Sequence, residues 1–367
     1  MGKILRTRRP WRKFPITPPV RSLVVGVSEP VQGELHFGLR IPSYAPPGLD
    51  YQSSRELLDY CRRIDDLPYD DIWVIDHLLV SRGVYGVSWL DSMAMLSAAA
   101  AATQRVGLGT AALVLPLRHP VILAKEIASL HMLSGGRFRF GVAVGWDPEE
   151  FAAVGVPLKE RGNRTDEALE LIQRLLTEEH VTFEGRFWQV ADLTIYPRVP
   201  EPPPVWIAGG TLTHAPDTPD KPFMARGVLD RIVKADGWMA RSSGSDPGDV
   251  RNDWGVVKEH LKSKGRDPET LTFAATQFIH VVEGTDREKA LSEQMPRFFE
   301  IMGGHRTVDD LRASYLTGTI DDMLSTITAL REAGLQYLIL TPLVADPGQL
   351  DLITRHIVEP LGRMDLV

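Results

Sequence analysis

The sequence predicts an α/β protein built as a (β/α)8, TIM-like barrel with insertions. From residue 35 onward, short β-branched apolar runs alternate with helical patterns. The runs are apolar almost throughout, as a parallel sheet covered by helices on both faces requires. Eight such units spread over roughly 330 residues fit a closed barrel better than an open doubly wound sheet.

Taken in order, the predicted strands are 35–41, 72–75, 106–114, 138–144, 205–208, 237–240, 271–282 and 336–340. Between them, a helix over 120–133 keeps Leu123, Ile127 and Leu130 on one face. It has proline in its first turn and stops at Ser134, Gly135 and Gly136. A second helix, over 164–176, turns Leu169, Ile172, Leu175 and Leu176 inward, with Asn163 as its cap and Asp166 three residues later. Segments 78–89, 179–204 and 211–222 read as insertions, which barrel enzymes use for specificity. Gly38 reads as a turn or bulge residue.

Composition narrows the classes. Of 367 residues, 43% are hydrophobic, and 41 basic against 48 acidic side chains give a net charge of −7. The single cysteine, Cys61, excludes an intramolecular disulfide framework and a cysteine-rich zinc site, so a reducing, cytoplasmic setting is expected. The longest apolar stretch, 93–102, has ten residues and is too short to cross a bilayer. Residues 1–28 hold seven basic side chains and no acidic one, with four prolines among them. The chain therefore divides into a basic arm, 1–34, and a barrel domain, 35–367. Arg8 and Arg9 invite a twin-arginine export reading, but the prolines that follow interrupt the apolar region such a signal needs. Nucleic-acid binding has little support, because the rest of the chain is acidic.

Barrel sites gather at the carboxyl ends of strands. There the sequence places Asp76 and His77, Ala111 and Ala112, Val144 and Gly145 with Trp146, and Gly209 and Gly210 with Thr211. A histidine beside a carboxylate suits proton transfer near neutrality. The plainer alternative is that Asp76 caps a turn and His77 packs. The Gly209–Gly210–Thr211 turn offers N–H groups suited to a phosphate. Metal binding is the rival reading of His36, His77, His119, His131, His214 and Asp236. It lacks both a His-x-His after the first strand and an HExxH motif, so no metal is expected. Cys61 has no flanking histidine and reads as a half-buried core thiol. Trp73, inside a strand, reads as core, and Trp146, just past one, as a ligand contact.

Several blocks together resemble one family. They are FGLRIP (37–42), DDIWVIDHLL (70–79), the stretch RVGLGTAALVLPLRHPVILAKEIASLHMLSGGRFRFGVAVGW (105–146), ERGNRTDE (160–167), PPVWIAGG (203–210) and ADGWM (235–239). The chain is similar through them to the bacterial luciferase-like flavin or deazaflavin oxidoreductases. The resemblance implies a TIM-like barrel that holds FMN or coenzyme F420 in its mouth. It implies that His77 faces the reactive part of the ring with Asp76 as its neighbour, and that Ala111–Ala112 forms a non-prolyl cis peptide against the ring. It further implies that Gly209 and Gly210 donate to the coenzyme phosphate and that Val144 and Gly145 line the tail. Two positions depart from the pattern. Ala143 replaces a usual glycine, and Trp146 stands where sugar-phosphate dehydrogenases of the family use a glutamate, which argues against glucose 6-phosphate.

The Asp-His pair and the GLGTAALVLP strand look closer to the deazaflavin members, so F420 is favoured and FMN is the alternative. The F420 reading implies hydride transfer between deazaflavin C5 and a small organic substrate, with His77 assisting proton transfer. The FMN reading implies a two-component monooxygenase with a separate flavin reductase, inserting oxygen by way of a flavin C4a-peroxide. A barrel that binds flavin without turnover is a third class. Phe37, Tyr85, Trp89, His119 and Trp146 are placed as substrate-pocket residues, and a mostly apolar pocket predicts a hydrophobic or aromatic substrate. The alanines at 98–102 suit either a homodimer interface or packing on the chain's own barrel.

Overall fold

A computed structural model describes residues 35–45, 51–80, 85–211, 223–240, 246–303 and 306–362. The basic arm and nearly all of the polar insertion 211–222 lie outside the described residues. Eight parallel strands form the wall: β1 His36–Arg40, β2 Asp71–Val74, β3 Gly107–Thr110, β4 Phe138–Ala143, β5 Val205–Ala208, β6 Gly237–Ala240, β7 Thr272–Ile279 and β8 Tyr337–Pro342. Neighbours pair in the order β5-β6-β7-β8-β1-β2-β3-β4, and a β4–β5 pairing closes the ring. All eight predicted strands are present. The third is shorter than the run 106–114: it ends at Thr110, the Ala111–Ala112 peptide is cis, and the chain resumes as a two-residue strand, Leu113–Val114, against β4.

Helices cover the outside. The helix Pro120–Leu133 has the expected bounds, capped by His119 and ended by Gly135 and Gly136, both at positive φ. The next major helix begins at Arg161, not at residue 164, and Asn163 lies inside it. A 3-10 turn, Leu158–Glu160, runs directly into it, so Glu160 takes the cap position without a side-chain cap bond. The helix Ser92–Ala102 buries Met95, Leu96, Ala99 and Ala100. Insertion 78–89 ends in a strand pair, Ser88–Trp89 against Tyr44–Ala45, and insertion 179–204 carries the antiparallel hairpin Val181–Glu184 with Gln189–Leu193. Arg137 donates to the carbonyls of Ser134, Val106 and Thr103 and to the Thr103 hydroxyl, which ties the loop after the helix Pro120–Leu133 to the loop before β3. No helix among the described residues is long and apolar enough to cross a membrane.

Two apolar layers result from strand alternation. Outward positions such as Leu39, Ile72, Leu108, Phe138 and Ile207 join the helices in the main core. Phe37 belongs to this outer layer at 2% exposure, which corrects its placement in the substrate pocket. Inward positions fill the barrel with Trp73, Trp206, Met239, Ala274, Tyr337 and Ile339. Trp73 is core as predicted, its ring 5.2 Å from that of Trp206 and 6.0 Å from that of Tyr337. Gly38 is a stave residue, not a turn. A Cβ there would lie 2.3 Å from Trp73 Nε1, and one at Gly109 would lie 2.4 Å from Trp73 Cε3, so the indole occupies what their side chains would fill.

Cys61 is fully buried in the helix Tyr51–Asp65. Burial pushes its thiol pKa up to about 12, so the thiolate is scarce at neutral or mildly alkaline pH. The folded chain is therefore expected to leave Cys61 unmodified by a disulfide reagent at pH 8, the thiol reacting only once denaturant unfolds the barrel. Rapid labelling of the native chain would contradict this packing.

Candidate active site

Past the end of β2 the chain presents Asp76 and His77 to different partners. The Asp76 carboxylate accepts from Ser92 Oγ (2.7 Å), Val114 N (2.9 Å) and Arg118 Nη2 (2.7 Å). Arg118 also reaches Asp91 at 2.8 Å. Asp76 thus joins the end of β2 to the helix Ser92–Ala102 and to the segment after β3. Both of its oxygens are engaged in this junction, which is neither a cap on the turn that follows nor a bond to His77: its donors stand 16, 38 and 42 positions away.

His77 lies in an aromatic chamber. Its imidazole is 9% exposed, with Tyr85 and Trp89 each at 5.3 Å and Trp146 at 5.9 Å between ring centroids. Of the five residues placed in a pocket, Tyr85, Trp89 and Trp146 are brought together around His77, with Trp146 forming the exposed rim at 47%. His77 Nδ1 is 3.1 Å from Glu150 Oε1, and that same oxygen accepts from Leu78 N (2.7 Å) and Leu79 N (3.2 Å). Glu150 is 1% exposed. It stands on the short helix Pro148–Ala153, where Asp147 is the cap and Pro148 opens the first turn. A carboxylate can only accept, so Nδ1 carries the proton and the tautomer is set.

Beneath this chamber the barrel interior ends in Ala111, Ala112 and Ala208, packed over Trp73 and Trp206. Beyond it, a second buried cluster holds Ile75, Val87, Trp89, Phe278, Phe298, Tyr315 and Leu343. His119 is not in the chamber. It is exposed, and its Nδ1 accepts from Val121 N at 3.3 Å as a helix cap.

The 209–211 turn differs from expectation. Gly209 N already donates to Met239 O (3.1 Å), and Thr211 N donates to Asp253 Oδ2 (2.8 Å), with the Thr211 hydroxyl on the other oxygen of Asp253. Two of the three amides assigned to a phosphate are thus bonded within the protein, and a buried carboxylate stands at the third residue. Val144 and Gly145 lie half-buried beside Trp146, where Gly145 takes φ +76° and a Cβ would meet Val114 and Phe151 within 3 Å. No group of three or more metal-ligating side chains occurs among the described residues.

The sequence reading missed Glu150 and Arg40. Glu150 follows Asp147 and Pro148 as the second of two glutamates and reads as surface. Arg40 follows Gly38 by two along β1, so it shares the inward face on which the structure places Gly38.

Residues 35–218, half of the chain, match the family described as luciferase-like monooxygenase, and the chain belongs to that family. An F420-dependent glucose-6-phosphate dehydrogenase of Intrasporangium calvum is 39% identical over 162 residues, which are 42% of this chain and 48% of the relative. A protein of the same name from Amycolatopsis mediterranei is 36% identical over 161 residues, again 42% and 48%. The chain spans about half the length of the curated relatives it matches. Among solved structures, an F420-dependent secondary alcohol dehydrogenase bound to an F420-acetone adduct superposes with a TM-score of 0.72 at 20% identity, over 90% of this chain and 100% of that one. The monooxygenase RslO1 of Streptomyces bottropensis gives 0.70 at 22%, over 89% and 99%. These likenesses establish the TIM-like luciferase fold.

Proposed function

We propose that the chain is an F420-dependent oxidoreductase that transfers hydride between the coenzyme and a small organic substrate, with His77 giving or taking the accompanying proton. The observation that carries this reading is the His77–Glu150 pair, buried among aromatic rings at the carboxyl end of the barrel. The names of the relatives at 36% and 39% identity support F420 over FMN.

The residues fit the ring of such a coenzyme. Ala111, Ala112 and Ala208 form a shelf of small apolar side chains over the interior indoles, with no charged side chain among them. They do not fit its phosphate at Gly209 and Thr211, whose amides are spent on Met239 and Asp253. When bound, the deazaflavin supplies hydride chemistry at its C5.

The chain itself contributes three things. Tyr85, Trp89 and Trp146 surround the imidazole and keep water from it. Glu150 holds the Nδ1 proton, which leaves Nε2 as the atom that exchanges a proton with the substrate. When the ring takes a second proton, the buried carboxylate stabilises the resulting charge, as the third member of a catalytic triad does.

Parallel titration with F420 and FMN, followed by fluorescence, tests the coenzyme. F420 is expected to bind at least about tenfold more tightly, a difference of about 1.4 kcal/mol. Preference for FMN would turn the reading to a monooxygenase fed by a reductase, and binding of neither would remove the coenzyme assignment.

A further inference from the structure

At the end of β1, the alternation that turns Gly38 onto Trp73 also turns Arg40 into the barrel mouth. The side chain is 6% exposed, and its Nε is buried without a hydrogen-bond partner. Among the described residues no carboxylate forms an ion pair with it. Its ionisable neighbours are Tyr85 and Tyr315. Tyr85 also meets the His77 ring edge-on at 5.3 Å, so Arg40 and His77 open on the same chamber.

The β1–β8 register pairs Leu39 with Leu340, and Thr341, the next residue of β8, has a buried hydroxyl that likewise lacks a partner. Apolar side chains of the adjoining cluster are Ile75, Trp89, Phe278 and Leu343, packed with Tyr315, over whose ring Arg306 stands at 5.5 Å. Burial lowers the Arg40 pKa to about 10, which leaves it a cation at neutral pH. A buried guanidinium nitrogen without an acceptor costs free energy, and an arriving anion supplies that acceptor.

We propose that Arg40 anchors the substrate, and that the site takes an organic carboxylate. The carboxylate lies on the guanidinium fork with the Thr341 hydroxyl beside it. The apolar body packs against Trp89, Tyr85 and Phe278, and the reacting carbon is presented to His77. A planar carboxylate matches the paired N–H donors of arginine. This deepens the oxidoreductase reading and rests on it for the redox step, though not for binding.

The test is calorimetric titration of the full chain with benzoate and with benzamide, which share a shape and differ in charge. Benzoate is expected to bind at least about tenfold more tightly to the native chain, as a charge-assisted hydrogen bond provides. Arg40→Gln abolishes the difference. Arg40→Lys keeps part of it, because the charge remains and the fork is lost. F420 affinity, read by fluorescence, stays the same in both variants. Equal affinity for the two probes, binding of neither, a benzoate preference that survives Arg40→Gln, or a loss of F420 affinity in that variant would each overturn the proposal. Failure of the native chain to bind F420, with the benzoate preference intact, would sink the coenzyme reading alone.

Discussion

His77→Ala is expected to lower turnover by about 10²- to 10⁴-fold, the range for removing a positioned general acid or base. Coenzyme affinity and the unfolding midpoint stay near native. The measurement is the F420 absorbance change with any substrate that the native chain turns over, together with a coenzyme titration of the variant. The effect is confined to turnover because the three rings around His77 and its Glu150 partner all lie in the chamber. That oxygen keeps its bonds to Leu78 N and Leu79 N when the imidazole is gone, so the loop after β2 stays in place. An unchanged rate would remove His77 from proton transfer and assign the proton step to another group.

Asp76→Ala is expected to act on stability, with a loss of about 3 kcal/mol. Three donors converge on this carboxylate: a hydroxyl, a backbone amide and a guanidinium. Alanine leaves the first two buried without an acceptor. Arg118 retains Asp91, which limits the penalty. In urea the midpoint falls while the slope of the transition stays constant, as for a change confined to the folded state. Native stability in this variant would mean that the junction it makes is dispensable.

Much of the fold was legible because its signals are local. The eight apolar runs mark the staves, and Pro120 with Gly135 and Gly136 bounds one helix. What the sequence concealed was parity and distance. A parallel strand is buried on both faces, so FGLR does not announce that Phe37 points to the helices and Arg40 to the mouth. Glu150 could be recognised only through its bond to a residue 73 positions away. The 209–211 amides looked available because Asp253, which takes one of them, lies 42 positions further along.

Trp73 and the glycines at 38 and 109 also constrain how this sequence can change. A larger residue at either glycine meets the indole at under 2.5 Å, and a smaller residue at position 73 leaves a void in a close-packed interior. Every single step from the present arrangement passes through a clash or a hole, while paired steps that conserve volume do not. The three positions are thus inherited together, and across descendants of this chain substitution at one is expected to be accompanied by substitution at another.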